Sequence, residues 1–149
     1  MQPLMPTDFQ QHCNVIEECY EFTLSYAAQG HAANGNGAQE RQLREHMKRA
    51  VEAMRCLEPS CGATIELEQL EPAERYHAIL PVLAGDARSS VAAMELVLAQ
   101  PAISSQLIDN LNASIHLRAL LTDIFLVVEI LEARQSRKEA QPASAQQAV

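Results

Sequence analysis

A chain of 149 residues with 48% hydrophobic content has room for one buried core and is too apolar to stay disordered. A net charge of -8 lacks the basic footprint that nucleic acid or an anionic lipid surface requires, so neither is expected as a partner. Aromatics at 4% and the absence of Trp call for an aliphatic core, and the scarcity of Gly favours helices over many tight turns.

The start, MQPLMPTDF, carries neither the basic nor the apolar segment of an export signal, so a cytoplasmic location with reduced thiols is expected. Thr7 or Asp8 caps a first helix that runs to about Gln29, where Gly30 supplies a stop. At about 100° per residue, Phe9, Cys13, Ile16, Cys19, Tyr20, Leu24 and Ala27 share its apolar face. Glu17, Glu18 and Glu21 lie opposite, with Asn14 and Ser25. The glutamates of HCNVIEECYEF therefore form a solvated face and do not join the cysteines in a ligand set. Cys13 and Cys19 are expected as small core residues. His12 projects near Ile16, Cys19 and Thr23, inside the apolar band.

GHAANGNGA, residues 30 to 38, is small, polar and glycine-rich, and has the composition of a flexible loop. A second helix runs from about Gln39 to Leu57, where Pro59, Cys61 and Gly62 break it. Its apolar face carries Leu43, Met47, Ala50, Ala53, Met54 and Leu57, with His46 among them. Arg41, Arg44, Lys48 and Arg55 share the other side with Glu45 and Glu52, a mixed-charge face suited to near-neighbour ion pairs. Cys61, in the PSCG turn, is expected to be the most accessible thiol. TIELEQL then forms an extended connection, since a lone strand has no sheet to join.

Pro72 opens a third helix to about Ala84, Gly85 ends it, and Asp86 caps a fourth that runs to about Gln100 before Pro101. The ExxH of ERYH, residues 74 to 77, occurs once, where a di-iron bundle needs it twice with further inward glutamates. Residues 92 to 121 have the cadence of a helix-turn-helix, but the second helix offers Ile115, Leu117, Leu120 and Leu121 with Arg118 as its one cation. That suits a helical hairpin, not a groove in DNA.

Ser104 or Ser105 caps a fifth helix to about Arg137. In LRALLTDIFLVVEILEA, Leu117, Leu121, Ile124, Val128 and Leu131 make one stripe, widened by Leu120 and Val127 on one side and Phe125 on the other. Ala119, Leu126 and Ile130 lie on the far side. A helix apolar nearly all round must be covered all round. It is too short and too charged to span a membrane. The expected cover for the far side is a second subunit, with Leu126, Ile130 and Ala119 in an isologous dimer interface.

The whole is expected to be all-α: an antiparallel bundle of four or five helices forming a single domain over residues 1 to 138, with a flexible tail over 139 to 149. No GxSxG, P-loop or GxGxxG is present, so no catalytic residue, no cofactor and no bound metal are expected. The function expected is that of a non-enzymatic interaction protein: a cytoplasmic dimeric adaptor, chaperone or regulator with a protein partner the sequence does not name. The alternative is a small-ligand or metal-binding module using an inter-helix cavity near His12, Cys19 and His46.

Overall fold

The computed structural model describes residues 7–32 and 37–141. Helix α1 spans Asp8–Ala28, α2 Ala38–Leu67, α3 Ala73–Ala78, α4 Leu80–Leu98, α5 Ser105–Asn112 and α6 Ile115–Ala140. The fold is an all-α bundle. α1 packs on α2, α2 on α4 and α4 on α6, while the short α5 lies on α1. Neighbours run antiparallel, because contact numbers fall on one helix as they rise on the next. His46 meets Phe22 while Cys61 faces Cys13. Arg55 meets Glu95, and Gly62 lies opposite Leu80. Ser90 bonds the His116 carbonyl, while Asp86 meets Asp123. The buried hydrophobic residues form one cluster shared by these helices.

The start of α1 is fixed locally. Thr7 Oγ1 accepts from the Gln10 amide at 3.1 Å, and Gln10 Oε1 accepts from the Thr7 amide at 3.0 Å. This reciprocal box satisfies two donors that a helix start leaves without partners. The buried face turns further round than the expected one. Thr23 and Tyr26 are buried, whereas Leu24 is exposed and Tyr20 and Ala27 are half-buried. α1 must cover both α2 and α5, and two polar residues can serve because each has a partner. Thr23 donates to the Tyr20 carbonyl and Tyr26 to that of Ile103.

Pro59 does not end α2. The helix continues to Leu67, so the segment expected as an extended connection is mostly helical. Proline removes one backbone hydrogen bond. Here the hydroxyls of Ser60 and Thr64 donate to the carbonyls of Cys56, Leu57 and Ser60. The apolar period also runs through the break, since Cys61, Thr64 and Ile65 follow Leu57 into the core.

The next break falls at Ile79 and not at Gly85. Ile79 closes α3 and opens α4, and Pro81 stands in the first turn of α4, where its missing N–H costs least. Gly85 sits inside α4. α3 and α4 are thus one element with a kink, and the bundle has five helical elements among the described residues.

The segment from Ser105 onward is two helices, divided at Ala113 and Ser114, the latter extended at φ -58° and ψ 130°. The division changes which stripe is buried. On an unbroken helix Ile108, Leu111, Ile115, Ala119, Leu126 and Ile130 share one face. After the break the buried residues are Leu117, Leu120, Leu121, Ile124, Val127 and Leu131. α6 remains helical to Ala140, so residues 139 and 140 belong to it; residues 142 to 149, most of the expected tail, lie outside the described residues.

Candidate functional site

The residues expected for a ligand cavity are not brought together. Cys19 is 1% exposed and faces α2, where burial pushes its thiol up to about 12 against the opposing pull of Arg49. His46 is half-buried, its ring stacked on Phe22 at 4.5 Å. His12 is ten positions from Phe22 on α1, roughly 15 Å along the axis. It lines a shallow surface groove with Val15, Lys48, Arg49, Ala53 and Cys56. Among the described residues no group of three or more His, Cys, Asp or Glu side chains is placed to hold a metal ion. Glu74 and His77 of the ExxH are both exposed, and His77 meets Glu66 at 3.1 Å.

The thiols divide differently from the sequence expectation. Cys61 is buried within α2, and desolvation, helped by the charge of Glu58, raises its thiol to about 11. Cys13 is raised further, first by burial and then by Glu17 and Cys61. Cys56, one turn before Pro59, is the exposed thiol. Expected result: a thiol reagent at mildly alkaline pH labels one site quickly in the native protein and four in denaturant, and Cys56→Ser removes the fast site. Fast native labelling that survives Cys56→Ser contradicts this placement.

At the α1–α2 loop end of the bundle, a polar belt joins segments far apart in sequence. Glu40, 5% exposed, accepts the Ile103 amide at 2.6 Å and pairs with Arg44 at 3.7 Å. Arg44 donates to the carbonyls of Leu98 and Gln100 at 2.9 and 2.8 Å. Ser105 Oγ accepts the His31 amide and donates to the Tyr26 carbonyl, both at 2.6 Å. The His31 ring stacks on Tyr26, with Nε2 at 2.6 Å from Gln29 Oε1 and 2.9 Å from Gln39 Oε1. Ser105 meets the backbone of His31 and not its ring, so the two do not form a nucleophile–base pair. The belt's chemistry is spent on holding the α4–α5 connection against α1 and α2. The rest of the cationic face of α2 is tied up in the same manner: Lys48 pairs with Glu45, and Arg55 with Glu52 and Glu95.

α6 carries the feature left over. Its inner stripe is in the core, but Ile115 is 75% exposed, Leu126 54%, Phe125 50% and Ile130 40%. Phe125, expected to widen the buried stripe, instead flanks the outer one. Thr122 is exposed and Ala119 half-buried between these residues. α1, α2 and α4 also expose large apolar side chains, Leu24, Leu67, Val82 and Leu96, but spread over three helices. Scattered exposures of that kind are ordinary; four on one helix are not. At its C-terminal half the outer face borders a groove of about 360 Å³, walled by Pro72, Tyr76 and Ile79 on one side and Leu126, Val127 and Ile130 on the other. None of the helices of the described residues is long and apolar enough to cross a membrane.

No protein-family model, curated protein or solved structure matches the chain.

Proposed function

We propose that the protein is a non-enzymatic helical interaction protein of the cytoplasm, an adaptor, chaperone or regulator that works as a homodimer joined through the outer face of α6. The observation that carries this reading is the double-sided character of α6. One stripe is consumed by the protein's own core, and a second, with Ile115, Leu126 and Ile130 one or more turns apart, faces out. A second copy supplies the cover that an all-round apolar helix needs. The polar side chains with chemistry to offer, Glu40, Arg44, His31 and Ser105, are engaged in holding the bundle. Four unpaired cysteines suit a reducing compartment.

Leu126→Glu with Ile130→Lys tests the reading. Each such side chain gains roughly 1.5–3 kcal/mol on leaving water, and a two-fold interface counts each one twice. The double variant is expected to be a monomer by light scattering, with the helicity of the wild type by circular dichroism. A variant that stays dimeric places the interface elsewhere and overturns the reading.

A further inference from the structure

The outer face of α6 has a polarity that selects how a second copy must sit on it. Around the helix, Ile115, Thr122 and Leu126 lie near the centre of the face. Arg118, Phe125 and Glu129 lie on one flank, and Ala119 and Ile130 on the other. Arg118 and Glu129 are both exposed, and among the described residues neither side chain has an ion-pair or hydrogen-bond partner. They stand three turns apart, so they do not pair within one helix.

We propose that this face binds a second copy of the chain, α6 against α6, antiparallel, about a two-fold axis crossing the helix midway between Asp123 and Ile124. The proposal rests on the homodimer reading above and adds its register. An axis at that level, normal to the plane of the two helices, sets residues whose numbers are equidistant from it side by side, and sets like flank against like flank. Arg118 then lies beside the partner's Glu129, and Glu129 beside the partner's Arg118. Two ion pairs form along one edge from groups that have no partner in the single chain. Phe125 lies on the same edge, at the level of the partner's Thr122, where the small hydroxyl side chain leaves room for the ring.

The same register also supplies cover for Ile115, the most exposed of the large apolar residues of α6. The partner's Ile115 falls at the level of Glu132, about 3 Å along the axis from Ile130. That is the mouth of the groove between α3 and α6. The half-buried Ala119, at the level of the partner's Val128, keeps the Ile130 edge low enough for close approach. A parallel arrangement sets each flank against the opposite one, so Arg118 and Glu129 meet the partner's Ala119 and Ile130 edge and gain no ion-pair partner, and both Ile115 side chains stay away from the grooves. The charges therefore favour the antiparallel pair, the arrangement of the two in which they meet.

Charge exchange reads this register directly. At low ionic strength Arg118→Glu and Glu129→Arg are each expected to weaken the dimer about tenfold or more, and the double exchange to recover most of the loss. Glu129→Arg is the informative single change. It makes the chain less acidic than its net charge of -8, so general repulsion between copies predicts a tighter dimer, whereas the proposed register predicts a weaker one. Both positions are exposed, and circular dichroism checks that each variant keeps its helicity. Sedimentation of the four proteins gives the dissociation constants. Weakening by each single change with recovery in the double supports the register. A dimeric wild type in which Glu129→Arg tightens association, or in which the double exchange does not recover, overturns the register and leaves self-association standing. A wild type that is monomeric throughout overturns both, and gives the face to a different protein.

Discussion

Leu121→Glu is expected to leave the chain unfolded at neutral pH. Leu121 is 4% exposed on the inner stripe of α6, between Leu117 and Ile124. Emptying such a site of its aliphatic side chain alone costs about 2–5 kcal/mol. Among the described residues no cation is buried in the core to meet the carboxylate that replaces it, and burying it unpaired costs several kcal/mol more, whether it stays charged or takes a proton. Together these approach or exceed the roughly 5–15 kcal/mol by which a domain of ordinary stability is held. Far-UV circular dichroism decides: loss of most helical signal is the expected result. A folded Leu121→Glu protein with a buried glutamate contradicts the assignment of the inner stripe to the core. The contrast with Leu126→Glu, five positions away on the same helix and expected to leave the fold intact, separates the two faces of α6.

The second large effect lies between α4 and α6. Asp123 meets Asp86 carboxyl to carboxyl, and the Oδ2 of Asp123 is buried without a hydrogen-bond partner among the described residues. Two carboxyl groups can bond only when a proton sits between them. Burial first, then the hydrogen bond and the charge of Asp86, raise Asp123 from 3.8 to about 7. The folded state therefore holds this proton more tightly than the unfolded one. Its contribution is fully present below about pH 3.8 and is lost as the pH rises through about 7. Asp123→Asn retains a donor toward Asp86 and does not titrate. The variant is expected to match the wild type near pH 4 and to exceed it in stability at pH 8. Between those limits the wild type loses at most about 1.4 kcal/mol per pH unit to this group, less where solvent screens the pair. Melting temperatures of the two proteins across pH 4 to 8 test it. Parallel curves contradict a shared proton at this site.

The helices themselves were legible because local signals and period agreed. Thr7 caps α1 and Ser104 caps α5, both by the side-chain bond that their residue types suggest. Where two local rules competed, the sequence could not rank them. Proline broke the helix at Pro81, near its start, but not at Pro59, where neighbouring hydroxyls and a continuous apolar stripe outweighed the lost bond. Gly85 was tolerated inside α4 because nothing there required it to turn. The division at Ser114 is the hardest to see in sequence. An unbroken period joins Ile108 to Ile130, and only the packing of α5 on α1 and α6 on α4 shows that the chain changes face there.

The candidate site was partly legible for the same reason. Leu126 and Ile130 stand out as apolar residues off the main stripe, and the structure leaves both exposed. Ile115 was hidden by the assumed continuity of the last helix, and Phe125 stands at the margin of the inner stripe, where period alone does not decide burial. The polar belt and the Asp86–Asp123 pair left no local mark at all. Glu40 meets Ile103 and Ser105 meets His31 across separations of 63 and 74 residues, and such partners are set by topology and not by spacing.

Sedimentation equilibrium of the wild-type protein from micromolar to millimolar concentration bears most directly on the role given to α6. The expected result is a reversible approach to twice the 16.4 kDa chain mass, with the Leu126→Glu, Ile130→Lys variant remaining at the single mass under the same conditions. A wild type that holds the single mass over the whole range contradicts it.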